Sequence, residues 1–455
     1  MSMRQYFAGL ATAALAATAA TALPSVYPTG TTIYDPSRAY NSYVIFGAPD
    51  GKSHLIDMNG NEVHRWEKSG FPSYYIDPKL VKGARGHVLV QLETIEQDGA
   101  GVVPGEPPEF RNKTIGEIDW NGNIVWKWGA EAPGGAAKQH HDWHRLPNGN
   151  TLVLAHWLHS VAGFQQPKLL DDVIYEVSPK GKIVWQWVAS DHINELGFSD
   201  DQIKLIHASL SPDYFHINNM TPVGPNKWAK ADDKRFAPDN IIFDARNANF
   251  IAVIDKMTGH IVWEIGPNYP SIPSRTKAVL PRPIDQISGQ HDVHLIAEGL
   301  PGAGDLLVFD NQGEAGYPPA ELGVNSGSRV LEIDPSTKEI VWQYTADLSD
   351  QPGWGFYSSF ISSARRLPNG NTLIDEGMNG RLFQITPKGE IVWEYVSPYF
   401  AKTPVGSSGG TITSNWVYRA QPVPYDWVPD GTPHDETPVA PVDITKFRVP
   451  HASQN

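Results

Sequence analysis

Three histidine-bearing stretches are the parts of this chain best equipped for chemistry. They are Gln139-His140-His141-Asp142-Trp143-His144, Tyr214-Phe215-His216-Ile217-Asn218-Asn219-Met220 and Gly289-Gln290-His291-Asp292-Val293-His294. Arg246 joins them, at the end of the run Ile241-Ile242-Phe243-Asp244-Ala245-Arg246. An imidazole changes charge near neutral pH, so it can serve as nucleophile, proton donor or proton acceptor. An arginine offers a planar, permanently charged fork that suits oxyanions. Three histidines on converging strands could instead hold zinc or copper. His141 and His144 are three apart, as are His291 and His294, so each pair points to opposite faces of a strand. One histidine near a strand end is most often a hydrogen-bonded structural residue. Three of them acquire meaning only if the fold brings them together.

A tryptophan repeat supplies that fold. A turn followed by Ile-Val-Trp or a close relative recurs at Asn59–Trp66, Asn121–Trp128, Lys180–Trp187, Thr258–Trp263, Ser336–Trp342 and Lys388–Trp393, with a Gly in five of the six turns. A short apolar run precedes each turn, for example Ile251-Ala252-Val253-Ile254-Asp255 and Val330-Leu331-Glu332-Ile333-Asp334. Asn-Gly and Lys-Gly give the positive φ that tight hairpins need. A second turn, Arg145-Leu146-Pro147-Asn148-Gly149-Asn150-Thr151-Leu152, returns almost unchanged at Arg366–Leu373. Each unit therefore reads as four antiparallel strands, A to D, with the tryptophan on D.

Six such units predict an all-β six-bladed β-propeller of four-stranded antiparallel blades, with no separate N-terminal sandwich domain. The tryptophans are expected to wedge between blades. The repeat spacing is longest from Trp185 to Trp263 and from Trp263 to Trp342, so blades four and five carry insertions. These are Ser190 to Pro212, with a short helix near Ile193 to Leu205, and Pro267 to Ser288. They flank histidine stretches and suggest a lidded site. The expected organisation is a signal peptide over 1–22, a propeller over 23–420 and an irregular Pro-rich tail over 421–455. Trp416-Val417-Tyr418 is expected to close the ring, with a strand from Leu23 to Tyr43 added at the seam.

In a propeller, strand A of each blade lines the central channel. His141, His216 and His291 read as equivalent positions just inside strand A of blades three, four and five. Blade six has Ser362-Ser363-Ala364-Arg365 there, so the fold itself does not demand a histidine.

Composition narrows the partners. The net charge of −14 argues against nucleic acid. The absence of cysteine excludes disulfides, thiolate zinc sites and covalent haem attachment. Arg4, the Ala/Leu-rich run from Tyr6 to about Ala20, and the small-x-small site Ala20-Thr21-Ala22 read as a cleaved leader, with a membrane anchor as the alternative. The mature chain is then expected to be periplasmic or secreted, with no integral membrane segment.

The Leu-Pro-Asn-Gly-Asn-Thr-Leu turns, His141-Asp142, His216-x-Asn218, the strand ending in Arg246, and Gly289-Gln290-His291 resemble the bacterial arylsulfate sulfotransferases that work without phosphoadenosine sulfate. The resemblance spans about residues 40 to 400. It implies an exported six-bladed propeller that needs no cofactor. It implies transfer of a sulfuryl group from a phenolic sulfate to a phenol by a ping-pong route through a sulfohistidine. His291 matches the sulfated residue, and His141, His216, Asn218 and Arg246 match the sulfate's surroundings. It allows a homodimer.

The residue types suit this chemistry. A neutral imidazole is a good nucleophile, and a loose, in-line transfer depends on positioning and charge stabilisation. Arg246 and Asn218 would donate to the sulfuryl oxygens. His141 or His216 would steady them or exchange a proton with the phenol. Asp292 could orient His291 or face away. Trp143, Tyr214, Phe215, Trp354 and Phe356 could stack on an aryl group, although packing in the core is the commoner role for any one of them. Two other readings stay open: a quinoprotein-like dehydrogenase, whose propellers usually have eight blades, and a non-catalytic secreted propeller that binds carbohydrate or a partner.

Overall fold

The computed structural model describes residues 28–96, 98–99, 102, 110–270, 279–313, 327–405 and 410–442. Six small antiparallel sheets form a six-bladed β-propeller, as the repeats predict. Blades three and four are Gln139–Arg145, Thr151–His159, Leu169–Val177, Ile183–Val188 and Ile217–Pro222, Ile241–Ala245, Phe250–Ile254, Ile261–Ile265. Blade five runs from His291–Leu295 through Leu306–Asp310 and Arg329–Asp334 to Glu339–Tyr344, with Arg282–Pro283 added outside. Blade six runs from Ser363–Arg366 to Ile391–Val396, with Gly30–Tyr34 added outside.

Local chemistry explains the hairpins. Asp57, Asp119, Asp255 and Asp334 each end a third strand and accept backbone N–H groups of the turn that follows. Such turns are self-capped by the aspartate. Five of the six turns use a glycine at positive φ, such as Gly60 at 81° and Gly389 at 88°; blade five uses Lys338 at 59° instead. The middle strands are packed on both faces, so they read as unbroken apolar runs such as Phe250–Ile254 and Leu306–Phe309. Six apolar clusters result among the described residues, one at each seam between blades.

The tryptophans fasten those seams. Each outer-strand indole donates to a backbone carbonyl in the outer hairpin of the next blade. Trp66 reaches Asp119 O (3.0 Å), Trp128 reaches Gly181 O (3.1 Å), Trp187 reaches Gly259 O (3.0 Å) and Trp263 reaches Pro335 O (2.9 Å). Trp342 reaches Pro387 O (3.1 Å), and Trp393 reaches Met58 O (2.7 Å), back to blade one. A cation of the following blade covers four ring faces: Arg145 on Trp126, Lys256 on Trp185, Lys338 on Trp263 and Arg366 on Trp342.

Ring closure differs from the expectation. The closing strand is Ala420–Val423, which forms the inner strand of blade one against Tyr43–Gly47. Trp416-Val417-Tyr418 only leads into it. A boundary at 420 therefore cuts the clasp, and the chain beyond it packs on blade one. The Tyr43 hydroxyl donates to Thr432 O at 2.9 Å and the Thr437 N–H to Asn59 Oδ1 at 2.9 Å, before Val439 exchanges backbone hydrogen bonds with Tyr34 of the strand outside blade six. The expected N-terminal strand is present as Gly30–Tyr34, on the outside of blade six, where Thr31 Oγ1 reaches Met58 O of blade one at 3.2 Å. The expected helix is real but later, at Asp200–Ala208, where Ser199 and Gln202 form a reciprocal cap. Residues 1–22 lie outside the described residues. No described helix is long and apolar enough to cross a membrane.

Candidate active site

The inner strands start irregularly where the histidines sit. His141 and His216 have φ of 55° and 54°, and Asp292 has 61°. Left-handed backbone is uncommon for such residues and gathers at functional sites. The strand pairing also slips, at Val153/Ala155, Ile217/Asn219 and His291/His294. Such bulges redirect side chains. The three histidines are consequently not in strict register. His141 lies within its strand, His291 opens its strand, and His216 stands one residue ahead of Ile217.

The rings of His141 and His216 meet at 4.6 Å between centres. His141 Nδ1 also lies 2.8 Å from Nδ1 of His140, whose Nε2 faces Asp172 at 3.3 Å. Asp213, three residues before His216, hydrogen-bonds its Nδ1. Tyr418 joins the group to His291: its ring centre is 5.6 Å from His141 and 6.4 Å from His291. A cavity of about 20 Å³ lies beside His140, His141, His156, Asp172, Asp213 and His216. That is room for about one water.

His291 is held on every side. Its Nδ1 is 2.8 Å from Asn311 Oδ1 and 2.9 Å from Gly289 O, both acceptors, so Nδ1 carries the proton. Asn311 is itself fixed, because its Nδ2 donates to Ser358 O (2.7 Å) and Ile361 O (2.8 Å). The lone pair is left on Nε2, which receives the Ile361 N–H at 3.1 Å. Ile361 has φ of 57°, a strained value for a β-branched residue.

Electrostatics keep two of the three rings neutral. Burial pushes the basicity of His291 well below the ordinary imidazole value; Arg246 and His216 add to this, against the Asn311 and Gly289 bonds. Burial does the same at His141, helped by His216, His140, His291 and Arg419. Burial alone would raise Asp213, but His216, His140 and Arg246 outweigh it and hold the carboxyl below its usual range.

Arg246 and Asn218 stand beside the histidines. The Arg246 N–H donates to His216 O at 3.0 Å, and its Nη1 donates to Asn247 Oδ1 at 3.0 Å. Its charge is felt at both His291 and Asp213. Asn218 donates to Gln290 O at 3.0 Å, the carbonyl just before His291, and its own carbonyl accepts the Tyr418 hydroxyl at 2.7 Å. Asn218 Oδ1 is buried and has no hydrogen bond among the described residues.

Asp292 faces away from His291. It pairs with Arg365 and with Arg419 Nε at 3.2 Å, while Arg419 Nη1 holds Asp142 at 2.9 Å. This buried ion network on the channel axis braces the strands beneath the histidines. His144 and His294 belong to it, His144 through Asp142 at 3.3 Å, and neither joins the upper cluster. The aromatic candidates divide between core and surface. Trp143, Tyr214, Phe215 and Phe356 are fully buried core, and Trp354 is exposed. Phe71 and Phe110 are the rings on His141, at 5.0 and 4.9 Å.

Several site residues escape a sequence reading. Asp213 leaves a local trace, the Asp-x-x-His spacing to His216. Asn311 and Ile361 leave none, because their contacts to His291 span 20 and 70 residues.

Comparison with known proteins bears on this arrangement. A family model described as Arylsulfotransferase (ASST) matches residues 52–397. No curated protein matches the chain. Among solved structures, the chain is similar to a protein of unknown function from Bacteroides caccae, with TM-score 0.45, 12% identity, and coverage of 84% of this chain and 99% of that one. It is also similar to virginiamycin B lyase from Staphylococcus aureus, with TM-score 0.34, 14% identity, and coverage of 77% and 84%.

Proposed function

Because the chain belongs to the arylsulfotransferase (ASST) family, we propose that it moves a sulfuryl group from a phenolic sulfate ester to a phenol through a sulfated His291. The family domain supports sulfuryl transfer in general, and aryl sulfates and phenols as its substrates. The observation that carries the histidine route is the state of His291. Its proton is committed to Asn311 and Gly289, and its lone pair is on Nε2. Burial beside Arg246 keeps the ring neutral, as a nitrogen nucleophile must be.

In the first half-reaction Nε2 attacks sulfur, the aryl oxygen–sulfur bond breaks, and the phenolate leaves with the bonding pair. His216, whose charged form is balanced by Asp213, gives that oxygen a proton. In the second half His216 takes the acceptor's hydroxyl proton, the acceptor oxygen attacks sulfur, and the N–S pair returns to His291. An incoming sulfuryl group takes the place of the Ile361 N–H at Nε2, and that N–H then faces a sulfuryl oxygen. Arg246 and the free amide hydrogen of Asn218 supply further donors. His141 stays neutral and packs the pocket with Phe71 and Phe110. The leader expected over residues 1–22 supports a periplasmic or secreted site for this work. The family resemblance also leaves room for a homodimer.

The test uses 4-nitrophenyl sulfate and a phenol. His291→Ala should abolish transfer in a folded protein. Wild type given donor alone should gain one sulfuryl mass on the peptide that contains His291. Transfer by His291→Ala, with no adduct in wild type, would remove the assignment.

A further inference from the structure

A second cluster lies on the outer rim, at the seam between blades three and four. His192 and Glu195 sit on the 3₁₀ segment Ala189–Glu195, just after the outer strand of blade three. A 3₁₀ helix has three residues per turn, so positions i and i+3 eclipse and both side chains share one face. His260 comes from the outer hairpin of blade four, directly after Gly259. The Nδ1 atoms of His192 and His260 each lie 3.0 Å from Glu195 Oε1. The three ligand atoms all fall within 4.8 Å of one another.

We propose that His192, Glu195 and His260 form a binding site for one transition-metal dication, with Zn²⁺ as the best fit. Ligand atoms on a tetrahedral zinc, with bonds of about 2.0–2.1 Å, stand about 3.3 Å apart. The observed 3.0 Å separations are close to that geometry. Two imidazoles and one carboxylate suit Zn²⁺, Ni²⁺ or Cu²⁺ rather than Ca²⁺ or Mg²⁺, which prefer all-oxygen shells.

The supports of the ligands are in place as well. The second Glu195 oxygen accepts the Ile261 N–H at 3.0 Å, which fixes the carboxylate's aim. His192 stacks on Trp187 with ring centres 4.9 Å apart and planes 12° from parallel. Trp187 itself is anchored to Gly259 O, beside His260. His260 is 68% exposed, so an ion can enter and water can complete its coordination.

On binding, each nitrogen that ligates gives up its proton, to the far ring nitrogen or to solvent. The carboxylate oxygen gives its lone pair to the metal. The ion would join the two blades that carry His141 and His216, in parallel with the Trp187–Gly259 bond. Nothing in sulfuryl transfer requires it.

The test uses the untagged full chain, freed of metal with EDTA and dialysed. Titration with zinc chloride should show one ion per chain by calorimetry and by elemental analysis, and magnesium chloride should show none. His260→Ala and Glu195→Gln should each weaken zinc binding at least tenfold. Both changes are on the rim and should leave aryl sulfate transfer unchanged. Zinc should raise the melting temperature of wild type and not of the two variants. The proposal is overturned if wild type takes up no zinc. It is equally overturned if uptake survives both substitutions, or is lost only in His141→Ala. Because metal content and melting are read apart from transfer, a failure here is separate from a failure of the sulfohistidine reading.

Discussion

Asn311→Ala is the sharpest perturbation of the His291 arrangement, because it leaves the histidine untouched. Asn311 is fully buried and makes three hydrogen bonds. Its loss takes one acceptor from His291, which keeps Gly289 O, and one donor each from Ser358 O and Ile361 O. Ser358 O still holds Ser328 Oγ at 3.3 Å. At about 1 kcal/mol per hydrogen bond, with an added cost for a carbonyl stranded in the core, stability should fall by about 2–4 kcal/mol. A domain stable by roughly 5–15 kcal/mol stays folded. The catalytic effect comes from position. The segment from Ser358 to Ile361 loses its tie, and with it the N–H that faces Nε2. A misplacement of about 1 Å can cost about 100-fold in rate, so kcat should fall by about that factor. The Asn311 bond opposes the low basicity of His291, so its removal lowers that basicity further. The ring is therefore still neutral at pH 6.5 to 8, and the fall in kcat should be constant over that range. The assay is release of 4-nitrophenolate in the presence of phenol, with urea unfolding alongside. A stability loss near the expected size with kcat within twofold of wild type would refute the claim that Asn311 positions the nucleophile. A rate loss that vanishes at high pH would refute the neutral-ring argument.

Two further outcomes follow from the same geometry. His141 and His291 are held well below the ordinary imidazole value, so their lone pairs persist as pH falls through about 6.5, and the acid limb of kcat/KM should lie lower still. Arg246→Gln removes one cause of the depression at His291, so the limb should move to higher pH while kcat drops; a wild-type limb at or above 6.5, or one indifferent to the substitution, contradicts this. Trp393→Phe keeps the buried ring but removes the donor to Met58 O, and should cost about 1–2 kcal/mol in urea unfolding. Trp342→Phe, at a more exposed seam, should cost less, and equal losses at the two would argue against burial as the cause.

The blades were legible because their signals are local. A tryptophan marks every outer hairpin, with a Gly turn within about eight residues in five of the six, and aspartates such as Asp119 and Asp255 cap them. The convergence of His141, His216 and His291 followed from blade order. Their exact heights did not, since a bulge that leaves His216 ahead of its strand has no composition of its own. Asp292 could not be assigned from sequence because its partners, Arg365 and Arg419, come from other blades. The clasp lies a few residues beyond the expected place because Trp416-Val417-Tyr418 is the stronger apolar run, whereas Ala420-Gln421-Pro422-Val423 carries Gln and Pro and does not read as a strand. Only Ala420–Val423 finds a free edge at Tyr43–Gly47.

The clasp also sets an order of assembly. Tyr418 and Arg419 stand immediately before the strand Ala420–Val423, and they reach back 200 and 201 residues to Asn218. A chain elongating from its N-terminus can complete five blades, with all three histidines present, and still lack both residues. The centre then has neither the ring that separates His141 from His291 nor the guanidinium that balances Asp142 and Asp292. Asp292 would keep Arg365, but Asp142 would lose its guanidinium, and the two carboxylates would share no cation between them. The histidine cluster is thus completed only by the segment that closes the ring. On the proposed mechanism, activity regained during refolding would report that closure.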